Sequence, residues 1–116
     1  MLRYAPPTTD AVVRVRVRDF TTTPGPATIR EGGHSGERFR EVFLSFPFHE
    51  ARRGGRRLVV DLDGTGEYPH PFLEEAFGGL ARRYGVREVL ERVEVVSEER
   101  PHLREVVRAC IAGARG

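Results

Sequence analysis

The residues best equipped for chemistry lie in one short run, Leu58-Val59-Val60-Asp61-Leu62-Asp63-Gly64-Thr65. Two carboxylates, one residue apart, follow a hydrophobic stretch and precede a glycine turn. At the end of a strand, that spacing lets both side chains address one phosphate. Paired carboxylates placed in this way are suited to general acid and nucleophilic work. Ser97, which closes a second hydrophobic run, Val93-Glu94-Val95-Val96, could supply a hydroxyl to grip a phosphate oxygen.

The run Asp61-x-Asp63-Gly64-Thr65 resembles the nucleophile motif of haloacid-dehalogenase-type phosphotransferases. That resemblance implies Asp61 as the nucleophile that attacks phosphorus and Asp63 as the acid that protonates the leaving group, with a magnesium ion on the phosphate. It also implies a cationic side chain, usually Lys, and a later strand ending in acidic metal ligands. All 19 basic residues here are Arg, and Lys is absent. The chain beyond Ser97 suffices for about one helix, so no later strand is expected, and Glu98 and Glu99 adjoin Ser97 directly. Gly66 stands where those enzymes have a large apolar residue. A simpler expectation is that Asp61 and Asp63 edge a strand-to-helix turn and accept backbone N–H bonds there.

The surrounding pattern supplies the elements that would position these groups. Residues 1–10, with two Pro and two Thr, read as a flexible tail, and residues 11–116 as one domain. Within 11–20, Val13, Val15 and Val17 alternate with Arg14, Arg16 and Arg18, the signature of a half-buried strand. After a turn-rich Thr-Thr-Thr-Pro-Gly-Pro, residues 27–30 read as a short returning strand. Ser35 is an N-cap candidate for a first helix, with Phe39, Val42, Phe43 and Phe46 as its apolar stripe. Pro47 either ends or kinks that helix. Residues 56–61 read as a central strand. A second helix, from about Pro71 to Tyr84, would bury Leu73, Ala76, Phe77, Leu80 and Tyr84. Residues 86–92 can add a short helix, 93–97 a last strand, and Pro101 opens a final helix carrying Leu103, Val106, Val107, Cys110 and Ile111. The order ββαβαβα predicts an α/β domain, a mixed sheet of about four strands with helices packed on it.

Composition narrows the function classes. A length of 116 residues suits one domain with one core. The longest apolar runs fall far short of the ~18 residues of a membrane helix, and the N-terminus lacks the apolar core of a secretory signal. With a single Cys as well, a cytoplasmic protein without disulfides is expected. The net charge of +2 arises from intermingled signs, a weak argument for nucleic acid. No aromatic residues interleave with Arg14, Arg16 and Arg18, so that stripe reads first as a solvated strand face and second as a phosphate or acidic-partner surface. The four His have no ligand spacing on a shared helix, so no metal is expected. Cys110 sits on an apolar stripe as a core residue. Gly78-Gly79, inside the second helix, point first to close packing of that helix on the sheet and second to the approach of a partner's backbone.

Three separated blocks, Ser35–Leu44, Val59–Leu80 and Val93–Val107, resemble the bacterial STAS-like family of unknown function, itself similar to sulphate-transporter and anti-sigma-factor-antagonist domains. The resemblance implies a small α/β domain acting as a non-enzymatic interaction or regulatory module without cofactor. Its partner would be a GHKL-type ATPase or kinase in a partner-switching circuit. In the antagonists a Ser or Thr at the start of the second helix is phosphorylated; Pro69, His70 and Pro71 occupy that place here, and Thr65 lies earlier in the turn. The feature the resemblance leaves is a helix start at a strand's carboxyl end, a common position for ligands in α/β sheets. Candidate contacts are therefore Asp63, Gly64, Thr65, Glu67, His70 and Glu75, with Phe72 as the helix anchor. Ser35 and Arg38, at the start of the first helix, could hold an anion.

Overall fold

The computed structural model describes residues 12–114; the expected tail, residues 1–10, lies outside them. Three strands, β1 (Val12–Arg16), β2 (Arg57–Asp61) and β3 (Val93–Val96), form a parallel sheet in the order β1-β2-β3. Four helices accompany them: α1 over residues 36–53, α2 over 70–84, α3 (Val86–Arg92) and α4 (Leu103–Ala112).

Register settles the two faces of the sheet. Val13 pairs with Leu58 and Leu58 with Val93; Val15 pairs with Val60 and Val60 with Val95. These residues point into the core, where Leu58 and Val60 are fully buried. Arg14, Val59 and Glu94 share the opposite face, as do Arg16, Asp61 and Val96. Both crossovers step the same way along the sheet. With the right-handed connection that parallel strands require, they place their helices on one side of it. The described residues thus form two layers, helices on a sheet whose other face carries charged side chains.

The expectation of a mixed, four-stranded sheet is corrected. The 27–30 segment forms a 3-10 turn, Ile29–Glu31, in place of a strand. Its donors are used locally: Glu31 accepts from the Thr28 N–H at 2.9 Å and its hydroxyl at 3.0 Å, and Glu37 takes the Ile29 N–H at 2.8 Å. β1 is also shorter than its alternating pattern. At Val17 the chain turns into a 3-10 segment, Val17–Asp19, which removes Arg18 from the arginine stripe.

Two π-helical turns, Arg40–Leu44 in α1 and Glu74–Gly78 in α2, reset the helical phase. In α1 the buried side chains are Phe39, Leu44, Phe48 and Ala51, a series opened by an i+5 step. The expected stripe is therefore wrong at Val42 and Phe46, which are 54% and 66% exposed. Pro47 has no N–H to donate to the carbonyl of Phe43, and its ring crowds that carbonyl. The wide turn directly upstream accommodates both effects, and α1 continues through Pro47 to Arg53. In α2 the expected Leu73, Ala76, Phe77 and Leu80 are buried, joined by Phe72, both glycines and Ala81.

Gly78 and Gly79 do mark close packing, although against helices and not the sheet. A Cβ on Gly78 would lie 3.3 Å from the Cys110 carbonyl of α4, and one on Gly79 would collide with the Arg40 guanidinium of α1. That guanidinium donates to the Glu75 carbonyl and, at 3.1 Å, to the Glu75 carboxylate. At the start of both helices, Gly36 lies against the Phe72 carbonyl, in space that no side chain could share. These contacts fix the start of α2 relative to the sheet's carboxyl end.

Candidate functional site

β2 delivers Asp61 and the adjoining turn to the carboxyl edge of the sheet, beside the 97–100 segment that leaves β3. Asp61 Oδ1 accepts the Asp63 N–H at 2.9 Å, an Asx turn that starts the bend. Its other oxygen faces Arg18 Nη1 at 3.2 Å, and the same Arg18 nitrogen donates to the Asp63 carbonyl at 3.1 Å. Asp63 reaches across to the next strand. Its Oδ1 accepts from the Ser97 hydroxyl at 2.9 Å and the Glu99 N–H at 3.0 Å, and its Oδ2 from the Glu98 N–H at 2.9 Å. These donors, the Glu98 N–H foremost, then those of Glu99 and Ser97, with Arg18 nearby, hold the Asp63 carboxyl below the usual range against a smaller opposing effect of burial.

The turn beyond Asp63 is tied down from several sides. Gly64, at φ 85°, takes a backbone conformation that favours glycine and donates its N–H to Glu99 Oε1 at 3.1 Å. The Gly66 N–H reaches the Thr22 carbonyl at 2.8 Å, and Arg100 Nη2 reaches the Thr65 carbonyl at 3.4 Å. Tyr68 folds back under the turn and donates its hydroxyl to the Leu62 carbonyl at 2.8 Å. Burial pushes the Tyr68 phenol up to about 12, so it stays protonated as a donor.

The candidate residues fall into three groups. Asp63, Gly64 and Thr65 belong to the turn itself, and the Thr65 hydroxyl donates to the neighbouring Gly66 carbonyl at 2.8 Å. Glu67 and His70 are exposed beside it. Glu67 borders a shallow cavity of about 360 Å³, also lined by Tyr68, Arg100, His102 and Leu103. The remaining candidates sit elsewhere. Phe72 is fully buried against Phe39 and Tyr68, and Glu75 turns inward to Arg40. Ser35 is 1% exposed and caps α1 through the Arg38 N–H at 3.1 Å, while the Arg38 side chain is exposed. Among the described residues, no group of three or more His, Cys, Asp or Glu is placed to hold a metal ion.

Arg18, Arg100 and Glu99 were not singled out at this site by sequence reasoning. Their partners lie 35 to 45 positions away, and no local spacing announces such contacts. Arg18 alone left a trace, as the last member of an alternation that had already lost its strand.

A family model described as a STAS-like domain of unknown function (DUF4325) matches residues 35–103. The chain belongs to that family. No curated protein and no solved structure matches it. In this STAS-like domain the matched region runs from the cap of α1 to the first residue of α4, and so contains β2, α2, β3 and the whole clasped turn. The start of α2 in the STAS-like chain reads His70-Pro71-Phe72-Leu73, without a hydroxyl. Among the described residues, no helix is long and apolar enough to cross a membrane.

Proposed function

We propose that this STAS-like domain is a non-enzymatic protein-interaction module of regulatory type. Its docking surface is the 64–70 turn and the start of α2, with Glu67 and His70 as exposed contacts and the Arg100–His102 cavity beside them. The partner class that the family resemblance suggests is a GHKL-type ATPase or kinase. Because α2 begins without Ser or Thr, control by phosphorylation at the helix start forms no part of the proposal.

One observation carries the non-enzymatic reading: both oxygens of Asp63 are engaged by donors of the 97–99 segment. A catalytic acid must hold a proton near working pH, whereas this carboxyl is stabilised as an anion. Ser97, the residue that would grip phosphate, spends its hydroxyl on Asp63 and accepts the Arg100 N–H at 3.0 Å. The same tethers support a docking role, because a turn laced from beneath is ordered before a partner arrives and loses little entropy on binding.

Affinity capture with the tagged chain from its source organism, followed by native mass spectrometry, tests the docking surface. Wild type should recover an ATPase-type partner, and a Glu67→Arg/His70→Glu variant should lose it while an Arg14→Ala/Arg16→Ala variant retains it. Equal recovery by all three sinks the assigned surface. The rival Mg²⁺-dependent phosphotransferase predicts metal-dependent release of phosphate from a generic aryl phosphate. Turnover of that kind, abolished by Asp61→Asn, would overturn the non-enzymatic reading.

A further inference from the structure

The phase reset in α1 also shapes a surface away from the clasped turn. It carries Val42 and Phe46, one helical turn apart, out of the core and onto the surface at 54% and 66% exposure. Beside Phe46 lies an open groove of about 480 Å³, lined by Glu41, Ser45, His49, Arg83 and Tyr84. Exposed large apolar side chains bordering a groove are characteristic of association surfaces.

The charge along this groove has a direction. α1 and α2 run side by side in the same sense: Gly36 meets Phe72, Arg40 meets Glu75, and the Phe48 ring packs tilted against Tyr84 at 4.8 Å. Glu41 therefore marks the acidic end. Arg83 marks the cationic end, beside His49, where the guanidinium groups of Arg52 and Arg83 lie 5.2 and 5.6 Å from the Tyr84 ring. A groove acidic at one end and cationic at the other, with an apolar residue near its middle, complements itself under a two-fold rotation.

We infer that α1 pairs with α1 of a second copy, antiparallel, about a two-fold axis near Ser45 and Phe46. Each Phe46 enters the other copy's groove over Ser45 and Tyr84, and each Glu41 meets the other copy's Arg83. That copy's Glu50, across the axis from Glu41, pairs with its own Arg53 at 3.6 Å. Beyond this overlap Arg38 of one copy approaches Arg53 of the other, so the pairing is confined to about three helical turns. An interface of that size falls below the ~1,200 Å² of stable complexes. Association is weak and depends on concentration.

Sedimentation velocity on the full chain across a wide concentration range tests this. The weight-average mass should rise from 13.1 kDa towards twice that value for wild type and stay at the monomer for Phe46→Asp. Phe46 is exposed, so that variant should keep its fold, which circular dichroism checks. Glu41→Arg and Arg83→Glu should each weaken association by about three-fold, the range of exposed ion pairs, and the double charge swap should restore it. A wild type that stays monomeric throughout overturns the inference and leaves the groove to a different protein. A Phe46→Asp variant that still dimerises, or a double swap no tighter than either single change, overturns it equally.

Discussion

Asp63 combines two properties that sequence reasoning had set against each other: it stands where a catalytic acid would stand and is used as a clasp. Its unfolded-state carboxyl titrates near pH 3.9, and its folded value is lower. The clasp therefore contributes its full stability above the unfolded value and loses it as pH falls through the folded one. Asp63→Asn keeps the shape, removes the charge and places an amide N–H₂ against N–H donors. It should cost about 1–2 kcal/mol at pH 7. For a domain of 116 residues that lowers Tm by about 4 °C per kcal/mol. Melts of wild type and variant should converge as pH falls through the lowered folded value, where the wild-type carboxyl is protonated as well. A Tm gap undiminished by acid would refute the ionic clasp. Cys110 shows the opposite electrostatics. Burial first, then the nearby Glu74 carboxylate, pushes its thiol up, consistent with a core residue.

The crossing of α1 and α2 depends on missing side chains as much as on those present. Gly36 touches the Phe72 backbone, which cannot move without moving the start of α2. Gly36→Ala should therefore destabilise by about 1–3 kcal/mol, since overpacking outweighs the gain in helix propensity. Gly78→Ala meets only a 3.3 Å contact with the Cys110 carbonyl. There the propensity gain of up to about 1 kcal/mol offsets the crowding, and the change should be close to neutral. Urea denaturation of the two variants separates them; equal losses would mean that the close approach at Gly36 is not what positions α2. The paired π turns belong to the same crossing, because Arg40 in one of them bonds to Glu75 in the other.

Among the described residues the helices cover one face of the sheet, whereas all-parallel sheets are commonly covered on both. The face away from the helices carries Arg14, Arg16, Arg57, Asp61 and Glu94. Arg57 pairs with Glu94 at 3.1 Å, and Arg16 lies 3.8 Å from Asp19. Partial pairing of this kind makes a solvated, self-neutralising surface and a poor phosphate track. Charged edge strands also discourage edge-to-edge association. β2 lies between β1 and β3 and shares both of its ladders. Hydrogen exchange should therefore be slowest at Leu58 and Val60 and faster along β1. Protection of β1 equal to that of β2 would show that the outer edge of β1 is covered in solution.

Local pattern carried much of this protein. Alternating Val and Arg marked β1, the apolar run before Asp61 marked β2, and helical spacing found α2 and α4, because each signal repeats within one element and needs no distant partner. Asp61 and Asp63 were legible as turn carboxylates for the same reason, since Asx chemistry is local. Folding alone settled which donors Asp63 would take, because the 97–99 segment lies about thirty-five positions away. It also settled the exposure of Val42 and Phe46: a π turn changes the helical period, and a stripe read at 3.6 residues per turn cannot register the step. The missing fourth strand has the same origin. Thr28 and Glu31 bond locally, but it is the packing of this segment on the start of α1, through Ile29 N–H to Glu37 and Glu37 N–H to the Ala27 carbonyl, that keeps it out of the sheet.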